Sequence, residues 1–190
     1  MMHFLLIRHG KTQGNQERRY IGDREEPLCD EGRQGVHLLR ESGDLPPVDS
    51  LMSGPALRCR QTAELLLPNM PYAICPMAEI DFGWFKGKTA DDLLGDKAYE
   101  AWLETGCQGD IPGGDSVSAF KERCCDTFLH IAEISDPGTM ALVIHGGNIM
   151  SILERFALPR RNFYDYHVPN CGFFLCRWEN GALIVEREGL

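Results

Sequence analysis

The chain has 190 residues, of which 43% are hydrophobic and 25% are charged. That length and composition predict a single globular domain over residues 1–190, with enough apolar side chains for a substantial core. The formal net charge of −9 argues against broad binding to nucleic acid or to an anionic membrane surface.

Eight cysteines are present, and their even number is compatible with disulfides or with a metal site. The first residues lack the basic start and the long apolar core of a signal peptide, and no apolar run approaches transmembrane length. We therefore expect a soluble cytoplasmic protein with free thiols, several of them packed as small hydrophobic side chains. Because no Cys-x-x-Cys pair occurs, we do not expect a zinc site. No other metal and no cofactor are expected.

The first apolar run, at residues 3–7, predicts a buried strand that ends at Arg8 and His9. Open α/β sheets bind their ligands beyond the carboxyl ends of their strands. Arg8 offers a fork of donors for phosphate or carboxylate, and His9 can act as a nucleophile or base near neutral pH. Short polar side chains follow in the same loop, at Thr12 and Asn15. The segment predicts an anion pocket with a nucleophile in it, although the pair alone is also compatible with a surface histidine beside a solvated arginine.

The elements that follow alternate between helix and strand. A charged loop over 18–28, which contains Gly22, precedes a helix that Asp30 is expected to cap and that ends near residue 41. After it we predict a strand at 50–53, a helix at 55–67 and a strand at 72–75. Arg58 lies in the first turn of the second helix, close to the preceding strand's end, so it can point towards the pocket.

The second half of the chain places two more reactive side chains after strands. Glu79 directly follows the predicted strand at 72–75, and His145 follows a buried strand at 140–144. Gly146 opens the next helix, whose free N–H groups form an anion site. The other predicted elements are a helix over 91–104, a loop over 106–114, a helix from Asp115 or Ser116 to residue 134, and a hairpin over 171–187 that turns at Asn180-Gly181. This pattern predicts flanking helices around a mostly parallel sheet with an antiparallel C-terminal edge, a three-layer α/β/α fold.

Four segments, in order, resemble the signatures of the histidine phosphatase (phosphoglycerate mutase-like) superfamily. They are Arg8-His9-Gly10 with Thr12 and Asn15, residues 53–63 around Arg58, residues 79–84 beginning at Glu79, and His145-Gly146-Gly147. The resemblance implies that His9 attacks phosphorus and that Glu79 donates a proton to the leaving oxygen and then activates water. It also implies that Arg8, Arg58 and His145 bind the phosphoryl oxygens, and that Asn15 and backbone N–H groups near Gly146 assist them.

The resemblance also implies how a substrate is held. Its binding residues would be Thr12, Asn15, Gly22 and Gly146, and a segment at about 85–115 would cover the site. The chain departs from related phosphatases at Phe85-Lys86-Gly87, where they often have Trp-Glu-Gly, and this leaves the local loop contacts open. The expected partner is a small phosphorylated metabolite, with neither nucleic acid nor a membrane involved, and a homodimer is one open alternative for the oligomeric state.

Three functions compete at this point. A metal-independent phosphomonoesterase is favoured, with α-ribazole 5'-phosphate as one candidate substrate because residues 22–28 and 112–116 resemble the α-ribazole phosphatases; broad-specificity small phosphatases share these segments. A phosphoglycerate mutase is the alternative, but Lys11 stands where mutases usually carry glutamate, and the chain is short. The third is a non-catalytic protein that binds a phosphorylated ligand.

Overall fold

A computed structural model describes residues 1–189. Within them one sheet contains seven strands: β1 (Met2–Arg8), β2 (Ser50–Ser53), β3 (Ala73–Ile74), β4 (Gly138–Ile144), β5 (Ala157–Leu158), β6 (Phe173–Glu179) and β7 (Ala182–Gly189). Their order across the sheet is β3-β2-β4-β1-β6-β7-β5. The first four run parallel to one another, whereas β6 runs antiparallel to both β1 and β7. The predicted mostly parallel sheet with an antiparallel C-terminal part is confirmed.

Strand β1 lies between β4 and β6 and is buried on both faces. Its side chains alternate, so that Phe4 and Leu6 join one core while Leu5 and Ile7 join the other. Burying a side chain of this kind contributes ~1.5–3 kcal/mol to stability. The strand is thereby fixed at the centre of the sheet, and Arg8 is held at its carboxyl end.

Helices cover both faces of the sheet. They are α1 (Gln13–Gln16), α2 (Asp30–Glu41), α3 (Leu57–Leu66), α4 (Lys97–Glu104), α5 (Val117–Ile134) and α6 (Gly146–Phe156). Val36 of α2 and Leu66 of α3 pack on the face of Leu5, while Phe128 of α5 and Ile149 of α6 pack on the opposite face. This arrangement confirms the predicted three-layer α/β/α fold.

The single helix predicted over residues 91–104 is wrong in its first half. The chain forms a short 3-10 turn at Asp91–Leu93 and then passes through Gly95, whose φ is +82°. That left-handed conformation ends the turn and suits glycine. Helix α4 starts anew after Asp96, whose carboxylate accepts hydrogen bonds from the N–H groups of the first turn.

The predicted helix caps also need correction. The residue that caps α2 is Cys29, whose Sγ accepts the Gly32 N–H at 3.4 Å, while Asp30 lies in the first turn. Ser116 precedes α5 but makes no side-chain capping bond. The Asp115 carboxylate instead accepts a bond from the Asp81 N–H at 3.0 Å.

Part of the segment expected to cover the site forms a third apolar cluster, separate from the two cores of the sheet. Phe85 and Trp102 lie at its centre, with their rings 5.5 Å apart. The other buried members are Leu93, Tyr99, Ile111 and Val117, and the half-buried Tyr20, Ile80, Phe82 and Cys107 pack against them. We call this group the aromatic cluster.

Two further expectations concern the cysteines and the C-terminal hairpin. All eight thiols are free, and five of them are buried. The hairpin of β6 and β7 turns at Asn180 and Gly181, whose φ values of 51° and 77° are those of a tight hairpin turn.

Of the helices within residues 1–189, none has the length and apolar character needed to cross a membrane.

Candidate active site

His9 and His145 lie side by side because each follows one of two neighbouring parallel strands. Arg8 of β1 is in register with Ile144 of β4, so His9 and His145 both come next at the same edge of the sheet. The His9 N–H donates to the Ile144 carbonyl at 3.0 Å. The two ring centroids are 5.1 Å apart.

His9 is neutral and has one nitrogen free for chemistry. Its Nδ1 atom lies 2.7 Å from the Gly10 carbonyl oxygen. Because a carbonyl oxygen can only accept a hydrogen bond, Nδ1 carries the ring proton. Burial, followed by the charges of Arg58 and Arg8, holds the pKa of His9 well below its ordinary value. The lone pair on Nε2 is therefore available as a nucleophile.

The loop after His9 is tied to α3 through Gly10. The Gly10 N–H donates to Thr62 Oγ1 at 2.9 Å, and that hydroxyl donates to the Arg58 carbonyl at 2.7 Å. A side chain at position 10 would lie 2.9 Å from Val36 and 3.0 Å from the Gly32 carbonyl. Only glycine fits this approach, which fixes His9 relative to Arg58.

Thr12 and Asn15 hold the shape of the same loop. Thr12 is fully buried and caps α1: its hydroxyl accepts the Asn15 N–H at 3.2 Å, and Asn15 Oδ1 accepts the Thr12 N–H at 3.1 Å. These bonds occupy the hydroxyl of Thr12 and the carbonyl oxygen of Asn15. Direct contact of either residue with a substrate stays a prediction.

Asn170 supports the loop that follows His9, a role that the sequence did not predict. Its amide donates to the His9 carbonyl at 3.0 Å and to Asn15 Oδ1 at 3.2 Å. The next N–H, of Cys171, donates to the Arg8 carbonyl at 3.1 Å. Pro169, Asn170 and Gly172 do signal a turn before the hairpin, but no spacing in the sequence relates that turn to His9.

The two arginines of the site carry buried donors without a protein partner. Arg8 donates through Nη1 to the Val168 carbonyl and Arg58 donates through Nη1 to the Asp23 carbonyl, each at 2.8 Å. Within residues 1–189, the Nε atoms of both are buried and unpartnered. An unsatisfied buried donor costs ~1–3 kcal/mol, and more when it is charged. The arrangement is therefore suited to an anion.

Glu79 lies beside the histidines, and the pKa of its carboxyl group is raised. Burial raises its pKa, while the Ile80 N–H, 3.1 Å from Oε1, and the charges of Arg58 and Arg8 oppose the shift. Its side chain keeps 21% of its surface exposed, and Oε2 is 3.7 Å from His145 Nδ1. A protonated carboxyl that reaches the pocket is suited to general acid catalysis.

The start of α6 completes the site. His145 is fully buried, its N–H donates to Asn148 Oδ1 at 3.1 Å, and burial lowers the pKa of its ring well below the ordinary value. Gly146 lies against the Arg8 guanidinium, and a side chain at Gly147 would come within 2.7 Å of Glu79 Oε1. The glycines allow the helix start to approach the other site residues closely.

Two adjoining cavities meet at Glu79 and Ile80. The first we call the cationic cavity; its lining includes Gly22, Arg24, Arg58, Lys86 and His145. The second we call the aromatic chamber; its lining includes Arg8, Tyr20, Phe82, Trp102, Phe120 and Tyr164. Glu79 thus stands between a charged compartment and an apolar one.

Lys86 explains the unusual Phe85-Lys86-Gly87 segment. Phe85 is buried in the aromatic cluster, while the Lys86 ammonium pairs with Asp81 at 2.7 Å. A side chain at Gly22 would lie 2.5 Å from the Lys86 stem, so the lysine packs closely over this glycine. The lysine therefore links two loops at the rim of the cationic cavity.

The structure thus brings together all five residues predicted to be catalytic: Arg8, His9, Arg58, Glu79 and His145. Of the predicted binding residues, Gly22 lines the cationic cavity and Gly146 lines the aromatic chamber. In the part of the chain from residue 1 to residue 189, no three His, Cys, Asp or Glu side chains converge as metal ligands.

Comparison with known proteins relates this geometry to one family. The sequence model of the histidine phosphatase superfamily (branch 1) matches residues 4–189. A protein named probable phosphoglycerate mutase GpmB, from Salmonella choleraesuis (strain SC-B67), is 29% identical over 202 residues, covering 100% of this chain and 93% of that protein.

Solved structures give the same relationship. A phosphoglycerate mutase from Thermus thermophilus is 30% identical, with a TM-score of 0.75 and coverage of 100% of this chain and 99% of that one. The alpha-ribazole phosphatase from Shigella flexneri is 22% identical, with a TM-score of 0.89 and coverage of 100% and 96%, which shows a shared fold. Because the family model matches nearly the whole chain, the protein belongs to branch 1 of the histidine phosphatase superfamily.

Proposed function

We propose that the protein is a phosphomonoesterase that hydrolyses small phosphorylated metabolites through a phosphohistidine intermediate. The observation that carries this proposal is a neutral His9 beside three buried nitrogen atoms that lack a protein partner: the Nε–H groups of Arg8 and Arg58, and Nδ1 of His145. A phosphoryl group on His9 would supply the missing acceptors.

In the first step, His9 Nε2 attacks phosphorus and the bond from phosphorus to the ester oxygen breaks. The leaving oxygen takes the proton of Glu79, whose raised pKa keeps the carboxyl protonated more readily than usual. The charge spread over the phosphoryl oxygens is stabilised by fixed donors and cations, from Arg8, Arg58 and His145.

In the second step, a water molecule attacks the phosphorus of the phosphohistidine. Glu79, now a carboxylate, accepts the proton of that water, and the bond from phosphorus to Nε2 breaks. His9 returns to its neutral form with its proton still on Nδ1, where the Gly10 carbonyl holds it. Phosphate leaves and Glu79 is again protonated for the next turnover.

The aromatic chamber supports a substrate whose alcohol part is apolar or aromatic. It opens next to Glu79, which protonates the leaving oxygen, and aromatic rings form much of its lining. α-Ribazole 5'-phosphate has an alcohol part of this kind, a riboside bearing an aromatic base. The name of the structurally similar Shigella flexneri protein supports the same candidate.

Phosphoglycerate mutase activity is the second candidate, favoured by the names of the Salmonella and Thermus relatives. A mutase must also hold the carboxylate of phosphoglycerate. Among the described residues that line the chamber, the basic ones are Arg8 and His167, and burial lowers the pKa of His167. The chamber therefore offers little positive charge to a carboxylate, whereas Arg24 and Lys86 of the adjoining cationic cavity do offer it, so product analysis separates the two candidates.

Rapid quench with a labelled aryl phosphate tests the mechanism in wild type, His9→Ala and Glu79→Gln. We expect His9→Ala to lose turnover of every substrate. We expect Glu79→Gln to lose ~10²–10⁴-fold on alkyl phosphates and much less on the aryl phosphate, whose phenolate leaves without a proton. With the aryl substrate, Glu79→Gln should accumulate an acid-labile, base-stable phosphoenzyme labelled on His9.

Four results would reject this proposal or a part of it. A label on another residue would remove His9 as the nucleophile, and equal losses on alkyl and aryl substrates without a trapped intermediate would remove Glu79 as the acid and base. Interconversion of phosphoglycerates that is much faster than phosphate release, with a 2,3-bisphosphoglycerate primer, would favour the mutase. A wild-type protein that binds phosphate esters without turning any of them over would be a binding protein.

A further inference from the structure

A buried thiol contacts the second histidine of the site on the side away from Glu79. Cys59 follows Arg58 in the first turn of α3, and its Sγ lies 3.6 Å from Nε2 of His145. Both side chains are fully buried, so no solvent competes for this contact. The other ring nitrogen, Nδ1, is 3.7 Å from Glu79 Oε2 and has no hydrogen-bond partner.

The chemistry of the pair allows two arrangements. Burial raises the pKa of the Cys59 thiol, so the sulfur keeps its proton, and burial lowers the pKa of His145, so the ring is neutral with one N–H and one lone pair. Either the thiol donates to a bare Nε2 and the ring proton is on Nδ1, or Nε2–H donates to sulfur and Nδ1 is bare.

The surroundings of Nδ1 distinguish the two. A bare Nδ1 would point its lone pair at the phosphoryl oxygens of a bound substrate and, once Glu79 has given up its proton, at the Glu79 carboxylate; both groups are acceptors. A protonated Nδ1 would instead offer a donor to those groups. At the other nitrogen, thiol sulfur is a weak acceptor, whereas an imidazole lone pair accepts well from S–H. The contact with Cys59 therefore favours the proton on Nδ1 in the free protein, and the phosphoryl group favours it when substrate is bound.

We propose that Cys59 is a positioning residue for phosphoryl transfer: its S–H donates to Nε2 of His145 and so keeps the ring proton on Nδ1, facing the reacting phosphoryl group. Cys59 is fully buried and acts through the ring of His145. The catalytic consequence rests on the proposed phosphatase function, but the tautomer of His145 can be measured without any substrate.

Nitrogen NMR of the ¹⁵N-labelled full chain tests the assignment, because the long-range couplings of a neutral imidazole differ between its two tautomers. We expect His145 to carry its proton on Nδ1 in wild type and in Cys59→Ser, which retains a donor. In Cys59→Ala, where no side-chain donor faces Nε2, we expect the proton to move to Nε2. The matched control is Cys176→Ala, which removes an equally buried thiol remote from the histidines and should leave the His145 signals unchanged.

Kinetics of the same variants give the second readout. Loss of one neutral hydrogen bond corresponds to ~1 kcal/mol, so we expect kcat/KM of Cys59→Ala to fall about fivefold to tenfold, with partial recovery in Cys59→Ser and no change in Cys176→Ala. A wild-type His145 with its proton on Nε2, or a Cys59→Ala protein that keeps it on Nδ1, would overturn the proposal. If the tautomers behave as expected while no phosphate ester is hydrolysed, the proposed function fails and the assignment of the tautomer stands.

Discussion

Arg58 and Arg60 lie two positions apart at the start of α3, but their surroundings differ. Arg58 is 3% exposed and faces the cationic cavity, whereas Arg60 pairs with Glu25 near the surface at 3.2 Å. We expect Arg58→Ala to lower kcat by ~10²–10³-fold, the loss typical of one electrostatic donor to a transition state. Arg60→Ala should change turnover little, since an exposed ion pair contributes ~0–1 kcal/mol.

Steady-state kinetics of the two arginine variants, with thermal melting to show that both are folded, measure this difference. Each variant serves as the control for the other, because both remove one guanidinium from the same helix. Equal losses of kcat in two equally stable proteins would contradict the assignment of Arg58 to the phosphoryl site.

The pKa shifts of His9 and Glu79 predict a pH profile. His9 must be neutral to attack, and its lowered pKa keeps it neutral into mildly acidic solution. Glu79 must be protonated for the first step, and its raised pKa extends that form towards neutral pH. For an alkyl phosphate, kcat/KM should therefore be highest in mild acid and fall as the pH rises through the pKa of Glu79.

The Glu79→Gln variant is the control for this profile. Its neutral amide does not titrate, so the decline assigned to Glu79 should disappear, while any change due to the second ionisation of the substrate phosphate, near pH ~6, should persist. The profile should also flatten for an aryl phosphate in wild type. A decline of unchanged size in Glu79→Gln would show that another group titrates.

The residues at strand ends could be anticipated from the sequence, whereas their supporting contacts could not. Arg8 and His9 follow one apolar run and His145 follows another, and parallel strands bring such positions to one edge of the sheet. The contacts of Asn170 and Cys59 with the histidines span 161 and 86 positions of the chain, respectively. Nothing local in either segment specifies these contacts, because they depend on tertiary packing.

At the level of elements, prediction succeeded where one strong local signal dominated. The end predicted for α2 and the bounds predicted for β2 agree with the structure, since amphipathic spacing and Pro/Gly punctuation set them. The Asn180-Gly181 turn was likewise predicted correctly, because only a few residue pairs adopt its left-handed backbone.

Prediction failed where a weak local signal competed with a tertiary one. Gly95 adopts a left-handed conformation that interrupts the apolar pattern of residues 91–104. Its neighbour Asp96 caps the helix that follows, and the apolar pattern did not indicate this new start. The two-residue strand β5 was missed because it depends on pairing with β7, which comes later in the chain. The short α1 depends on the capping box of Thr12 and Asn15 rather than on apolar spacing.

Across the whole molecule, the negative net charge and the positive site are compatible because they act at different distances. The formal net charge is −9, yet Arg8 and Arg58 present unpartnered donors inside the site. Exposed charges more than ~8–10 Å away are largely screened at physiological salt, whereas buried groups are screened much less. A phosphate ester in the site therefore interacts mainly with these nearby cations.

This division of charge leads to the prediction that turnover needs no metal ion. A metal in phosphoryl transfer neutralises the charge of the phosphoryl oxygens, and Arg8, Arg58 and the Nδ1 side of His145 are placed to do so directly. We expect prolonged treatment with EDTA, followed by gel filtration into metal-free buffer, to leave kcat and KM unchanged within about twofold. Added magnesium or zinc should not raise either value. The Arg58→Ala variant gives a second test, because adding a divalent cation should not restore the turnover that this variant loses. Complete loss of wild-type activity in EDTA, with recovery on adding magnesium or zinc, would show that fixed cations are not sufficient.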